Sequence, residues 1–125
     1  VATSAMGRAF LAAIPEIERQ YLMDAIKARA GDEWPRLRRG IEQAVRQVAE
    51  QGFCTSFGDW EHDVNAVGVP LRSLDGSTVM ALNCGGPAFQ HKPERLMTEW
   101  GPRLVNLART IETEVQNGLT AQDAW

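Results

Sequence analysis

Apolar residues recur every three or four positions in four stretches of this chain, a spacing that predicts four amphipathic helices. The first predicted helix begins after Thr3 or Ser4, either of which can cap a helix. It ends near Ile14, because the residue before a proline avoids helical geometry. Its predicted buried face consists of Ala5, Met6, Ala9, Phe10 and Ala13.

The other three helices follow the same spacing. The second begins at Pro15 and ends at Gly31, and the third extends from about Pro35 to Gln51. The last begins near Lys92, and Pro102 is expected to kink it or to separate its first turns, since proline has no N–H to donate. The predicted buried face of the second helix consists of Ile17, Tyr21, Leu22, Ala25 and Ile26.

Between the third and fourth helices the pattern changes to short apolar segments bounded by turn residues. Residues 53–58, 64–73 and 77–85 are predicted strands, and Asp75-Gly76 is a strong two-residue hairpin turn between the last two. The predicted fold class is therefore α+β, with an antiparallel sheet of at least three strands and helices packed on it. In this interpretation residues 1–118 form one domain and residues 119–125 a flexible tail.

Side-chain alternation along the predicted hairpin gives the sheet two different faces. If the strands pair like with like, one face carries large apolar side chains and is expected to lie under a helix. The opposite face carries residues that are small apart from one amide, namely Ala66, Gly68, Ala81, Asn83 and Gly85. The space above this small face could be filled by backbone from another element, or it could hold a small ligand.

The start of the first helix is a candidate anion site. The backbone N–H groups of Ala5, Met6 and Gly7 have no acceptor within the helix, and the helix dipole favours negative charge at this end. The alternative is that Thr3 or Ser4 and water satisfy these groups.

Composition restricts the class of function. The 125 residues carry a net charge of −3, which argues against binding of nucleic acid by this segment, because such binding needs a basic face. No apolar run approaches the roughly 20 residues that span a membrane, and residues 1–7 do not read as a signal peptide. Cys54 and Cys84 are expected on opposite faces of the sheet, so no disulfide is predicted and a cytoplasmic location fits best.

The segment Asp59-Trp60-Glu61-His62-Asp63 crowds acidic side chains and an imidazole into one loop. Zinc uses such ligands, but a convincing site needs ordered spacing and more His or Cys, so a solvated loop is the preferred interpretation. No catalytic residue, metal or cofactor is predicted, and a metal-assisted enzyme that uses His62 and nearby acids is kept as the alternative. Trp60 could lie over the mouth of a pocket or could contact another subunit.

Four segments, taken in order, resemble the C-terminal effector-binding domain of the IclR family of bacterial transcription regulators. They are residues 3–12 (TSAMGRAFLA), Gly52-Phe53, residues 64–71 (VNAVGVPL) and residues 81–89 (ALNCGGPAF). The opening of small residue, Gly, basic residue and Ala, and the Gly-Gly-Pro after the last strand, are the most specific parts. The likeness covers roughly residues 2–116.

This resemblance implies a GAF/PAS-like sensor domain fused to an N-terminal winged helix-turn-helix, which lies outside this chain and binds operator DNA. It also implies a homodimer or homotetramer and a small carboxylic acid as effector. In the family the acid is held by backbone N–H groups that fall on Ala5 and Met6. The pocket side chains map onto Ser56, Ala66, Asn83 and Gly85, the last three of which lie on the small face deduced from alternation.

Two departures from the family pattern refine this expectation. Ser56, Ala66 and Gly85 stand where some members place an acid, a cysteine or serines, so the pocket is expected to suit a larger or aromatic acid. The family domain begins with strands upstream of residue 1, so the chain is expected to be a fragment without them and without the DNA-binding domain. A ligand-free dimerisation domain with a filled cavity is the remaining alternative.

Overall fold

The computed structural model describes residues 1–123, which form an α+β domain around one three-stranded sheet. Three helices precede the sheet: α1 (Ala5–Ala13), α2 (Glu16–Ala30) and α3 (Trp34–Gln51), with a 3-10 turn at Gly31–Glu33. The strands are β1 (Cys54–Phe57), β2 (Val64–Arg72) and β3 (Val79–Pro87). The last helical region consists of α4 (Pro93–Arg95), a π-helical turn (Leu96–Trp100) and α5 (Gly101–Asp123). The predicted fold class and the three strands are confirmed, but β3 begins two residues later than expected, and residues 73–78 rather than a two-residue turn join it to β2.

Helix boundaries follow the local chemistry expected from the sequence. The hydroxyl of Ser4 caps α1 by accepting the Gly7 N–H at 3.0 Å, and α3 ends at Gly52, whose φ of 86° is left-handed. Pro102 has no N–H for the carbonyl four residues before it, and the turn just ahead of it is π-helical, with the Gly101 N–H bonded to the Leu96 carbonyl. The predicted disruption of the last helix is therefore confirmed.

The sheet has the order β1-β2-β3 with both pairs antiparallel. Val67 lies opposite Cys84 and Val69 opposite Leu82, while Ala66 lies between Ser56 and Gly85. Because partners in a sheet share a face, this register pairs large residues with large and small with small, as alternation predicted.

The large face of the sheet packs against the last helical region. Its buried core contains Val67, Val69 and Leu71 from β2, together with Leu96 of the π-helical turn and Leu104 and Ala108 of α5. Phe53, which precedes β1, completes this cluster and touches the position where a Gly101 side chain would begin. This face therefore supplies most of the large buried side chains.

The small face of the sheet lies under the beginning of α1. A Cβ atom on Gly68 would collide with the backbone carbonyl of Ala5, so the missing side chain is what allows this close approach. The Cys54 thiol also donates to the Ala5 carbonyl, at 3.4 Å. Behind these contacts Cys54 packs with Ala9 of α1 and Ala44 of α3. Small residues thus bring two helices close to the sheet.

Two predicted helix faces were wrong in part. On α1, Met6 is 44% exposed, whereas Arg8 and Leu11 are buried. On α2, Ile17 and Tyr21 are exposed. The helix instead packs Leu22, Met23 and Ile26 against a second hydrophobic cluster that contains Leu11, Ile14 and Ile41. None of the α2 residues is fully buried. Helical spacing defines a stripe, but several alanines and long aliphatic side chains leave its exact direction open.

The predicted tail begins inside α5, whose helical backbone reaches Asp123. Residues 124–125 of that tail lie outside the described part of the chain. In residues 1–123, no helix combines the length and the apolar character needed to cross a membrane.

Candidate functional site

A cavity of about 210 Å³ lies between the start of α1 and the small face of the sheet. Its walls combine the predicted pocket positions with their neighbours: Ser4, Ala5, Ser56, Trp60, Val64, Ala66, Asn83, Gly85 and Gly86. None of these side chains carries a formal charge. The space above the small face is therefore divided: α1 backbone covers it near Gly68, and a cavity remains above Ala66 and Gly85.

The helix end that borders this cavity presents unpartnered backbone donors. Ser4 accepts two of the first N–H groups, that of Gly7 through its hydroxyl and that of Arg8 through its carbonyl, each at 3.0 Å. No acceptor among the described residues bonds the N–H of Ala5 or Met6. N–H groups of a first helical turn point out of the N-terminal end, so these two provide partial positive charge at the helix end that borders the cavity.

Two polar side chains on the sheet side of the cavity differ in whether they are free to form a hydrogen bond. Ser56 is buried, and its hydroxyl donates to the Thr3 carbonyl, so its proton is already committed to the segment before α1. Asn83 is exposed, and its side-chain amide makes no hydrogen bond to any described residue. The amide of Asn83 is thus the polar side chain best able to bond a ligand here.

The six predicted site residues are placed as follows. Ala5, Ser56, Ala66, Asn83 and Gly85 line the cavity, whereas Met6, the next residue of α1 after Ala5, does not. Trp60, expected either over the mouth of a pocket or at another subunit, lines the cavity and is 57% exposed.

Sequence reasoning missed a buried cation next to this site. Arg8 is only 4% exposed, and its guanidinium donates to the carbonyls of Ala2 and Thr55, each at 3.0 Å, and to the carboxylate of Asp59 at 2.8 Å. Gly40 of α3 leaves room for it, since a Cβ atom there would collide with the guanidinium. A glycine inside an amphipathic helix is the sequence signal that could have indicated this close contact.

The acidic loop between β1 and β2 does not gather its side chains around one point. Asp59 is engaged by Arg8, and within residues 1–123 no three His, Cys, Asp or Glu side chains lie close enough together to hold a metal ion. The loop is instead fixed by backbone bonds, from Val64 N–H to the Glu61 carbonyl and from Ala88 N–H to the Asp63 carbonyl. This geometry gives no support to a metal-assisted reaction at His62.

The two cysteines are free and lie on opposite faces of the sheet, as predicted. Burial raises the pKa of the Cys54 thiol to about 12, although the charge of Arg8 acts in the opposite direction. A thiol with such a pKa is protonated at neutral pH and is a poor nucleophile. Cys54 therefore serves as a packing group and a weak donor to α1.

Comparison with known proteins places this geometry in context. Residues 1–113 match the model of the family described as bacterial transcriptional regulator IclR, C-terminal. The HTH-type transcriptional regulator TsaQ1/TsaQ2 of Comamonas testosteroni is 25% identical over 113 residues, covering 90% of this chain and 41% of that protein. Both the family and this relative are described as transcriptional regulators.

Solved structures give the same assignment. An IclR family transcriptional regulator from Brucella abortus is 42% identical with a TM-score of 0.86, over 90% of this chain and 43% of that one. The inducer-binding domain of a PobR double mutant from Acinetobacter, solved with 3-hydroxybenzoic acid, shares the fold at 21% identity and a TM-score of 0.66, over 89% of this chain and 64% of that one. The chain spans less than half of the Comamonas and Brucella regulators. It belongs to the IclR family of bacterial transcriptional regulators and corresponds to their C-terminal domain.

Proposed function

We propose that this domain binds a small organic carboxylate in the cavity between α1 and the sheet. The observation that carries the proposal is the pair of unpartnered N–H groups, on Ala5 and Met6, at the helix end that borders the cavity. A carboxylate seated there accepts both hydrogen bonds and meets the positive end of the helix dipole. The Asn83 amide supplies a further donor from the opposite wall.

The size of the cavity supports a compact ligand. Drug-sized molecules occupy pockets of roughly 300–1,000 Å³, whereas an engineered cavity of about 150 Å³ accepts benzene. At about 210 Å³ this cavity can hold a single aromatic ring with its carboxylate directed at α1. The 3-hydroxybenzoic acid complex of the related PobR domain is consistent with an acid of this class.

The proposed consequence of binding is a shift in how α1 packs. Ala5 contacts both the cavity and β2, through the close approach at Gly68, so a bound anion favours one position of α1 on the sheet. In a homodimeric or homotetrameric regulator with an N-terminal winged helix-turn-helix, this bias alters the affinity for operator DNA. Such coupling between two sites is typically worth about 1–3 kcal/mol.

The proposal is tested by calorimetric titration of the domain with benzoate and with benzamide, which has the same ring but no charge. We expect benzoate to bind and to raise the melting temperature by several degrees when present at about 100 times its Kd, while benzamide has little effect. If neither benzoate nor smaller acids such as pyruvate and glyoxylate bind, the proposed function is wrong.

A matched pair of variants locates the binding site. Ala66→Val places two extra methyl groups in the cavity and is expected to abolish benzoate binding. Ala49→Val makes the same change on the exposed surface of α3 and is expected to leave the affinity unchanged. Equal affinities of the two variants would place the acid elsewhere on the domain.

A further inference from the structure

The most highly connected buried polar group outside the cavity wall is the guanidinium of Arg8. It bonds three acceptors in different chain segments: the Ala2 carbonyl ahead of α1, the Thr55 carbonyl of β1 and the Asp59 carboxylate of the loop after β1. The planar fork of an arginine can serve several such acceptors at once, which a lysine ammonium on the same stem cannot reproduce. This single group therefore fastens three chain segments together.

Each of these segments also contributes to the wall of the cavity. The segment ahead of α1 includes Thr3, whose carbonyl accepts the hydroxyl of the lining residue Ser56. Thr55 is the chain neighbour of Ser56, and Asp59 is the chain neighbour of Trp60. Arg8 thus bonds residues next in sequence to those that line the cavity, while neither Arg8 nor Asp59 lines it.

The loop that carries Trp60 has few other attachments through side chains. Of the side chains in residues 58–63, that of Asp59 makes a hydrogen bond to another part of the described chain, while the remaining bonds of this loop involve its backbone. Trp60 is more than half exposed, so packing alone constrains it weakly. Its position depends on how firmly the preceding residue is held.

We infer that the Arg8–Asp59 ion pair is a positioning element that holds Trp60 against the cavity and thereby sets the affinity for the bound acid. The identity of the ligand rests on the proposed function, whereas the placement of Trp60 does not. Because Arg8 belongs to α1, the same ion pair joins the helix end that would receive the carboxylate to the loop that would cover the ring. Asp59 and Arg8 act through Trp60 and do not touch the ligand.

The test compares three variants of the loop in the complete chain. Asp59→Asn removes the charge with little change of shape, Asp59→Glu restores a carboxylate, and Glu61→Gln is the control, because the Glu61 side chain makes no hydrogen bond to a described residue. Asp59 is partly exposed, so water can solvate this position in Asp59→Asn and the fold is expected to persist. Hydrogen–deuterium exchange of residues 58–63 and acrylamide quenching of Trp60, isolated by comparison with Trp60→Phe, report on the loop without any ligand.

The expected result is faster exchange and stronger quenching in Asp59→Asn, a smaller change in Asp59→Glu and none in Glu61→Gln. Benzoate titration should then show an affinity about fivefold or more weaker in Asp59→Asn, and near the unmodified value in Glu61→Gln.

If exchange and quenching in Asp59→Asn match the control, the positioning role is wrong. If the loop loosens but the benzoate affinity is unchanged, the link between Trp60 and affinity is wrong. If the unmodified protein binds no acid, the proposed function fails, and exchange and quenching alone decide whether the ion pair positions Trp60.

Discussion

The two faces of the three-stranded sheet differ in the size of their side chains and in what packs on them. On the large face, Val67 and Val69 of β2 are completely buried against Leu96 and the last helix. On the small face, Ala66 and Gly68 of the same strand leave room for the start of α1 and for a cavity. Burial of large apolar side chains is the main source of folding free energy, so the first face can stabilise the domain while the second leaves the cavity open.

The two faces also differ in their polar groups. The large-face cluster is made of apolar side chains, whereas the region behind the small face contains a buried cation, Arg8, and the buried hydroxyl of Ser56. Both of these groups have hydrogen-bond partners, and no buried side-chain N or O atom of the described residues lacks one. Such a network fixes the geometry of a site more than it adds stability, because its bonds largely replace bonds to water.

The largest effect is expected from the large face. Leu96 is fully buried in its core, and Leu96→Ala should lower the free energy of unfolding by about 2–5 kcal/mol, through lost burial and a residual cavity. Urea denaturation followed by circular dichroism measures this change. Leu107→Ala, on the half-exposed surface of α5, is the control and should cost far less. Similar losses from both substitutions would mean that the large face is not the principal core.

Much of this two-faced design could be predicted from the sequence. Successive side chains of a strand point to opposite faces of the sheet. Once β2 and β3 were paired, their odd or even positions therefore placed Val67 and Val69 on the same face as Cys84. The first helix was expected to begin after Thr3 or Ser4 and the third to end at Gln51, just before Gly52, because capping and left-handed geometry are local requirements. The small positions of the cavity, Ala66 and Gly85, followed from the same alternation.

The rest depends on contacts between distant parts of the chain, which leave no local pattern. No local pattern around Arg8 marks it as buried, since two of its three acceptors lie about fifty residues away, at Thr55 and Asp59. Likewise, periodicity placed Ile17 and Tyr21 in a stripe but could not tell which side of α2 the neighbouring helices would cover.

An intermediate effect is expected from filling the contact between α1 and the small face. In Gly68→Ala the new methyl group collides with the Ala5 backbone, and overpacking of this kind costs about 1–3 kcal/mol. Because α1 must move, the affinity for benzoate should fall as well. Gly118→Ala adds a methyl group in open space on α5 and is expected to be neutral or to stabilise by up to about 1 kcal/mol. A Gly68→Ala protein with unchanged stability and affinity would show that α1 does not lie as close to β2 as the structure indicates.

The smallest effect is expected in how the free energy of unfolding depends on pH, because each face of the sheet carries one cysteine. The folded-state pKa of Cys54, at about 12, lies above the ordinary value of 9.0, because burial disfavours the thiolate. Between these two values the unfolded chain loses the proton while the folded chain keeps it, so this contribution to stability is complete below pH 9 and is lost as the pH rises toward 12. At pH 10 the loss amounts to about 1.4 kcal/mol, one pH unit above the unfolded value.

Denaturation of the unmodified protein, Cys54→Ala and Cys84→Ala at pH 8 and pH 10 measures this loss. Cys54→Ala should show a shallower decline than the unmodified protein by that amount. Identical declines in all three would mean that water reaches the Cys54 thiol, and that α1 does not seal the small face behind the cavity.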